Sequence, residues 1–282
     1  MTSVKSAVGL MMPPKVREKL RERFVAMNVT HLHGPRAVRL SQDEAVVTCV
    51  LKNGEYYIES FIKHYLRMGF RHIFFMDNGS SDQTCSIAKS YNNVSICQCT
   101  LPIGSHQRLF KKYLSERVVR GGWCLDADID EFFDYPFSDA VDLNAFLTYL
   151  NRHNHTAVMT QLLDMFSDKP LSHLVSEQKE DVRMAYQYYD VSDITKTDYR
   201  TSTIVTKYGY ANQLADSGTA LYWGGVRKAL YGNDCLLTKH SLFLPGAGLR
   251  LFPHVHFVNE ARLADVAGVM LHYKLTSNAM AM

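Results

Sequence analysis

The stretch AVVTCVLKNGEYYIESFIKHYLRMGFRHIFFMDNGSSDQT, residues 45–84, decides the fold. A short apolar run, AVVTCV, leads through a turn into YYIESFIKHYLRMG, then into a second apolar run, RHIFFMD, and a second turn, DNGSSD. In the middle segment Tyr57, Phe61, His64, Tyr65 and Met68 fall near one face of a helix, Glu55, Glu59, Lys63 and Arg67 fall elsewhere, and Gly69 supplies a C-cap. Strand, amphipathic helix and strand in this order make a right-handed βαβ crossover.

The alternation continues downstream. SDQTCSIAKSY reads as a helix, VSICQC as a third strand, QRLFKKYLSERVV as a third helix and WCLD as a fourth strand. The fold expected is α/β, a Rossmann-like, mostly parallel central sheet flanked by helices. Upstream, residues 1–40 hold a charged helical stretch with a proline start, PPKVREKLRERFVAM, and are read as an N-terminal helical appendage to a domain spanning 41–282. Beyond residue 150 the regularity weakens to candidate strands VMTQLL, LRLF, VHFV and GVMLHYK, which elaborate the same sheet.

The composition, 46% apolar and 21% charged, is that of a water-soluble globular domain, and a formal charge of +3 is too small to argue for nucleic acid. Without an apolar run of the roughly 18 residues a membrane span needs, the chain reads as cytoplasmic, with room for peripheral membrane association. Its six cysteines lack zinc or disulfide spacing and read as reduced structural thiols, Cys97 and Cys99 on one face of a strand.

In an open parallel sheet, ligands bind beyond the carboxyl ends of the strands. Three such ends are polar: Lys52-Asn53-Gly54-Glu55, Asp77-Asn78-Gly79-Ser80-Ser81-Asp82, and the acids of WCLDADIDEFFDYP, residues 123–136. Ser80 to Asp82 suit a turn and a helix cap, whereas Asp77 ends an apolar strand and is placed to accept hydrogen bonds from a ligand. On a strand, Asp126, Asp128 and Asp130 would share a face and repel one another unless a cation sat between them. With Glu131 beside them, they make a natural start for an octahedral Mg2+ or Mn2+ site completed by water and phosphate oxygens. His254, His256 and His272 sit in apolar segments, where a histidine is more often a packed core residue than a ligand. From the residues alone the chain reads as a metal-dependent nucleotide or phosphate enzyme.

The ordered set Lys-Asn-x-Glu, IESFIKHYLRMG, DNGSSDQT, WCLDADIDEFFDYP, LLDMFSDKPL, GGVRKALYG, LTKHSL and LHYK resembles the family-2-like glycosyltransferases of the GT-A fold, over about residues 44–276. The likeness is greatest to the bacterial subgroup related to glycosyltransferase family 92. It implies a nucleotide-binding part at about 44–135, an acceptor-side part at about 136–276, and a nucleoside diphosphate sugar donor, UDP-linked, bound through Mn2+ or Mg2+. A Trp123-anchored pattern assigns the metal-binding DxD pair to Asp128 and Asp130, leaving Asp126 outside; the register Asp126-Ala127-Asp128 is the alternative. By the same resemblance Asp77 contacts the nucleobase, and Lys52, Asn53 and Glu55 line the nucleoside. Gln107 or Arg108 lies near the sugar or diphosphate, and His272 approaches the metal.

Arg227, Lys228 or Lys239 would neutralise the leaving diphosphate, while a hydroxyl of a glycan or lipid-linked acceptor attacks with inversion. The general base is expected at Asp164 or Asp234. Two rival readings are a non-catalytic carbohydrate-binding protein on a degenerate GT-A fold and a Mg-dependent phosphohydrolase of the haloacid dehalogenase type. The latter expects Thr or Val where Asp130 stands, and expects its motif after the first strand of the domain.

Overall fold

The structure, a computed structural model, describes residues 13–174 and 181–276. Helix α1 (Pro14–Met27) precedes an edge strand β1 (Thr30–His33); then come β2 (Ala45–Leu51), α2 (Glu55–Met68), β3 (Ile73–Asp77), α3 (Thr84–Lys89), β4 (Val94–Gln98), α4 (Ile103–Arg117) and β5 (Trp123–Asp126). Strands β4, β3, β2 and β5 lie side by side in that order, all parallel, so β2 sits between β3 and β5. The order of connection reverses between β2 and β5, and a ligand crevice belongs at their carboxyl ends.

Period-two alternation sorts the core. Val47, Cys49, Leu51, Ile73 and Phe75 pack with Tyr57, Ile58, Phe61, Ile62 and Tyr65 of α2 on one face. Val46, Val50, Phe74 and Met76 pack with Leu109, Phe110 and Leu114 of α4 on the other. Each of these fully buried side chains contributes roughly 2 kcal/mol of transfer free energy. Helix α2 stops at Gly69, whose φ of 104° is the left-handed conformation expected of its C-cap.

The second half departs from the parallel pattern. After β6 (Glu131–Asp134), a helix Leu143–Arg152 and β7 (Ala157–Phe166), the chain returns as β8 (Thr238–Phe243), which inserts antiparallel between β5 and β7. Strand β9 (Arg262–His272) runs parallel to β7 and antiparallel to β6. The central sheet is therefore mixed, parallel across β4, β3, β2 and β5 and antiparallel where β8 enters. The segment PHVHF is a hairpin, Arg250–His254 turning into Phe257–Asn259, so His254 and His256 do not share a strand face.

Residues read as an appendage divide in two. Helix α1 packs on α4 through Glu18 to Arg108 and Glu22 to Lys112, while β1 joins the sheet beside β4. All six cysteines are free. Among the described residues, no helix is long and apolar enough to cross a membrane.

Candidate functional site

The loops after β2 and β3 are fastened to each other. Asn53 donates its backbone N–H to Ser80 Oγ at 2.8 Å and accepts from the Ser81 N–H at 2.9 Å. Gly54 N–H donates to Thr84 Oγ1, Glu55 N–H to Asp82, and Gln83 N–H to the Glu55 carboxylate. Asn53 takes a φ of 52°, a left-handed conformation that asparagine tolerates better than most residues.

Asp77 is fully buried. It accepts from the N–H groups of Gly79 and Ser80 and from Gln98 Nε2, so it shapes the loop that was expected only to follow it. Asn53, Glu55 and Asp77 thus line the carboxyl ends of β2 and β3 while holding those ends in place; Lys52 beside them is exposed.

The acidic run does not continue as a strand. Strand β5 stops at Asp126, and a turn carries residues 127–130 across to β6. The acids consequently diverge and meet different cations. Lys111, from the middle of α4, is completely buried and reaches Asp126 Oδ2 at 2.7 Å and Asp128 Oδ1 at 3.0 Å. Lys239, from β8, is also buried, bonds both oxygens of Glu131 at 2.9 and 2.7 Å, and stands 3.5 Å from Asp128 Oδ2. Glu131 in turn accepts the Asp128 N–H at 2.8 Å, which closes the turn.

Burial pulls both ammonium groups down, but the carboxylates around them outweigh it and raise both above the ordinary lysine value. Asp128 is held far below the usual carboxylate range because Lys111 and then Lys239 overcome its burial. The other Asp126 oxygen, Oδ1, is buried without a hydrogen-bond partner.

A second chain of charges runs beside the first. Arg227 Nε donates to Asp164 Oδ2 at 2.8 Å, Asp164 Oδ1 lies 2.6 Å from His272 Nδ1, and His272 Nε2 lies 3.6 Å from Asp130 Oδ2. Lys274 approaches the same Asp130 oxygen at 3.8 Å. Burial works against protonation of His272, yet Asp130 and then Asp164 raise it to about 9, so the ring is an imidazolium at neutral pH. Against its burial, the bonds from His272 and Arg227 hold Asp164 below the carboxylate range.

The fold therefore brings Asp128, Asp130, Asp164, Arg227, Lys239 and His272 together, as a site built from these residues needs. It does not bring Arg108 or Asp234 into the cluster. Arg108 binds Glu18 of α1 and the Phe252 carbonyl, and Asp234 sits exposed with Lys228 at 3.7 Å. Gln107 lies half-buried on α4. Lys111 went unnoticed in the sequence, although a lysine three residues before Leu114, in the buried stripe of α4, was a signal for it.

Asp128, Asp130 and His272 do not fit a divalent-ion centre. Among the described residues, no group of three or more His, Cys, Asp or Glu side chains is arranged to hold a metal ion. Each Asp128 oxygen faces an ammonium, and both ring nitrogens of His272 already face carboxylates, Nδ1 that of Asp164 and Nε2 that of Asp130.

No protein-family model and no curated protein matches this chain. Among solved structures, the crystal structure of S. aureus TarS is similar at 19% identity and a TM-score of 0.33, over 44% of this chain and 22% of that one. The match spans less than a quarter of TarS.

Proposed function

We propose that the chain is a glycosyltransferase that moves a sugar from a nucleoside diphosphate donor, UDP-linked, to a hydroxyl of a glycan or lipid-linked acceptor. The observation that supports this reading is the position of Asp128 and Asp130: both are partly exposed, just beyond the carboxyl end of β5, at the point where the strand order reverses. The nucleoside lies against the fastened loops 52–55 and 77–82. The sugar meets Asp128, whose carboxylate is kept ionised and is suited to accept hydroxyl hydrogen bonds.

As the glycosidic bond to the diphosphate breaks, negative charge grows on the leaving oxygen, and Arg227 and the half-exposed Lys274 are the cations placed to oppose it. Asp164 is engaged by Arg227 and His272, so it orients them and does not act as base. Bond formation by the acceptor hydroxyl inverts the anomeric centre, and its proton passes to solvent water, since Asp234 lies exposed outside the cluster beside Lys228. A cavity of about 350 Å³, lined in part by Phe166, Asp190, Leu230, Tyr231 and Leu275, adjoins Arg227 and Lys274 along the chain and gives the acceptor room.

A phosphohydrolase reading would need Asp126 as nucleophile, and that side chain is buried and bonded to Lys111. The test is a panel of sugar nucleotides scored for thermal shift and for release of nucleoside diphosphate, with and without glycan acceptors. One donor should shift the melting temperature and turn over. Silence across the panel, or hydrolysis of a generic aryl phosphate instead, defeats the proposal.

A further inference from the structure

We infer that Lys111 and Lys239 occupy the electrostatic place of a divalent cation, and that the acidic cluster binds its ligand without Mg2+ or Mn2+. The two ammonium groups arrive from different sides. Lys111 comes from α4 on one face of the sheet, and Lys239 from β8, the strand inserted beside β5. They bracket Asp128, with Oδ1 at 3.0 Å from one and Oδ2 at 3.5 Å from the other.

Both are completely buried, so solvent does little to screen them. A doubly charged ion on Asp128 would have to settle against two fixed positive charges within ion-pair distance of the same carboxylate. Four cations, Lys111, Lys239, Arg227 and Lys274, already face the acids Asp126, Asp128, Asp130, Glu131 and Asp164. Asp128 then serves as a direct acceptor for ligand hydroxyls. A metal ion would need those oxygens for itself, whereas an ammonium leaves each carboxylate oxygen a further lone pair.

The identity of the ligand rests on the glycosyl-transfer reading; the charge assignment does not. The free Mn2+ signal in electron paramagnetic resonance, followed during titration with the full chain, tests the charge assignment alone. The signal should stay unchanged with the wild-type protein and fall with Lys239→Met, which releases Glu131 and one side of Asp128. Thermal shift with UDP, GDP and ADP, each in EDTA and in Mn2+, tests the ligand. Any shift should be equal in the two conditions.

Stoichiometric Mn2+ uptake by the wild type, or a nucleotide shift that vanishes in EDTA, overturns the inference. If Lys239→Met does not fold, the two wild-type measurements decide. If no nucleotide shifts the protein in either condition, glycosyl transfer fails and the Mn2+ titration still judges the lysines.

Discussion

Asp164 and His272 are direct cross-strand partners in the parallel ladder of β7 and β9, and their side chains meet at 2.6 Å. The pairing is built into the register, so a slip of one residue would send one of the two side chains to the other face of the sheet.

The pH dependence of stability follows from that pair. The folded-state value of His272, about 9, lies above its ordinary 6.5, because Asp130 and Asp164 outweigh the effect of burial. A raised value means the stabilisation is complete below about pH 6.5 and is lost as pH rises through 9. Urea unfolding of wild type and His272→Gln should show a gap of at most about 3 kcal/mol at pH 6, closing towards pH 10. A gap that widens with pH would exclude an imidazolium.

Asp164→Asn keeps the shape of the side chain but takes the carboxylate from Arg227 and leaves His272 only that of Asp130. Breaking a buried ion pair on one side costs about 3–5 kcal/mol. The imidazole of His272 should also titrate lower, because one of the two carboxylates that raise it is gone. NMR titration of the ring checks this, and an unchanged His272 would show that Asp130 alone sets its charge.

Lys111→Met should be more damaging than its conservative size suggests, since Asp126 would be left buried without the ammonium bonded to it, at a cost of about 3–5 kcal/mol. Adding Asp126→Asn should recover part of the loss, and a double-mutant cycle measured by denaturant unfolding gives the coupling. Strict additivity of the two changes would rule out the pair as a unit.

The fastened loops make a local prediction. Asn53→Ala removes the acceptor for the Ser81 N–H and places alanine at a φ of 52°, at a cost of about 1–3 kcal/mol. Hydrogen exchange should quicken together in residues 52–56 and 79–84. Acceleration in only one of the loops would mean that they move independently.

The parallel half could be read from the sequence because its strands are buried on both faces, and such strands appear as uninterrupted apolar runs between turn signals. Strand β8 escaped detection for the opposite reason. Its residues Thr238, Lys239, His240 and Ser241 are polar and fully buried, and several are satisfied across the sheet, as Ser241 is by Thr160 at 2.6 Å. No hydropathy pattern marks a strand whose burial depends on partners some eighty residues away.

The acids of residues 126–131 were equally plain, and a need for positive charge followed from their crowding. The source of that charge was not legible, because Lys111 and Lys239 approach through tertiary packing. Asp126, left without a role by its position outside the Trp123 pattern, proves to be the inner anchor of Lys111.

The late arrival of β8 bears on how the molecule is made. Until residues 238–243 leave the ribosome, β5 and β7 each lack a neighbour, and Glu131 lacks the ammonium that neutralises it. Nascent chains ending before that point carry open sheet edges and an uncompensated acid in the forming core, both unfavourable to early folding. Closure of the central sheet is thus a long-range event, set by sequence separation and postponed until most of the polypeptide has been synthesised.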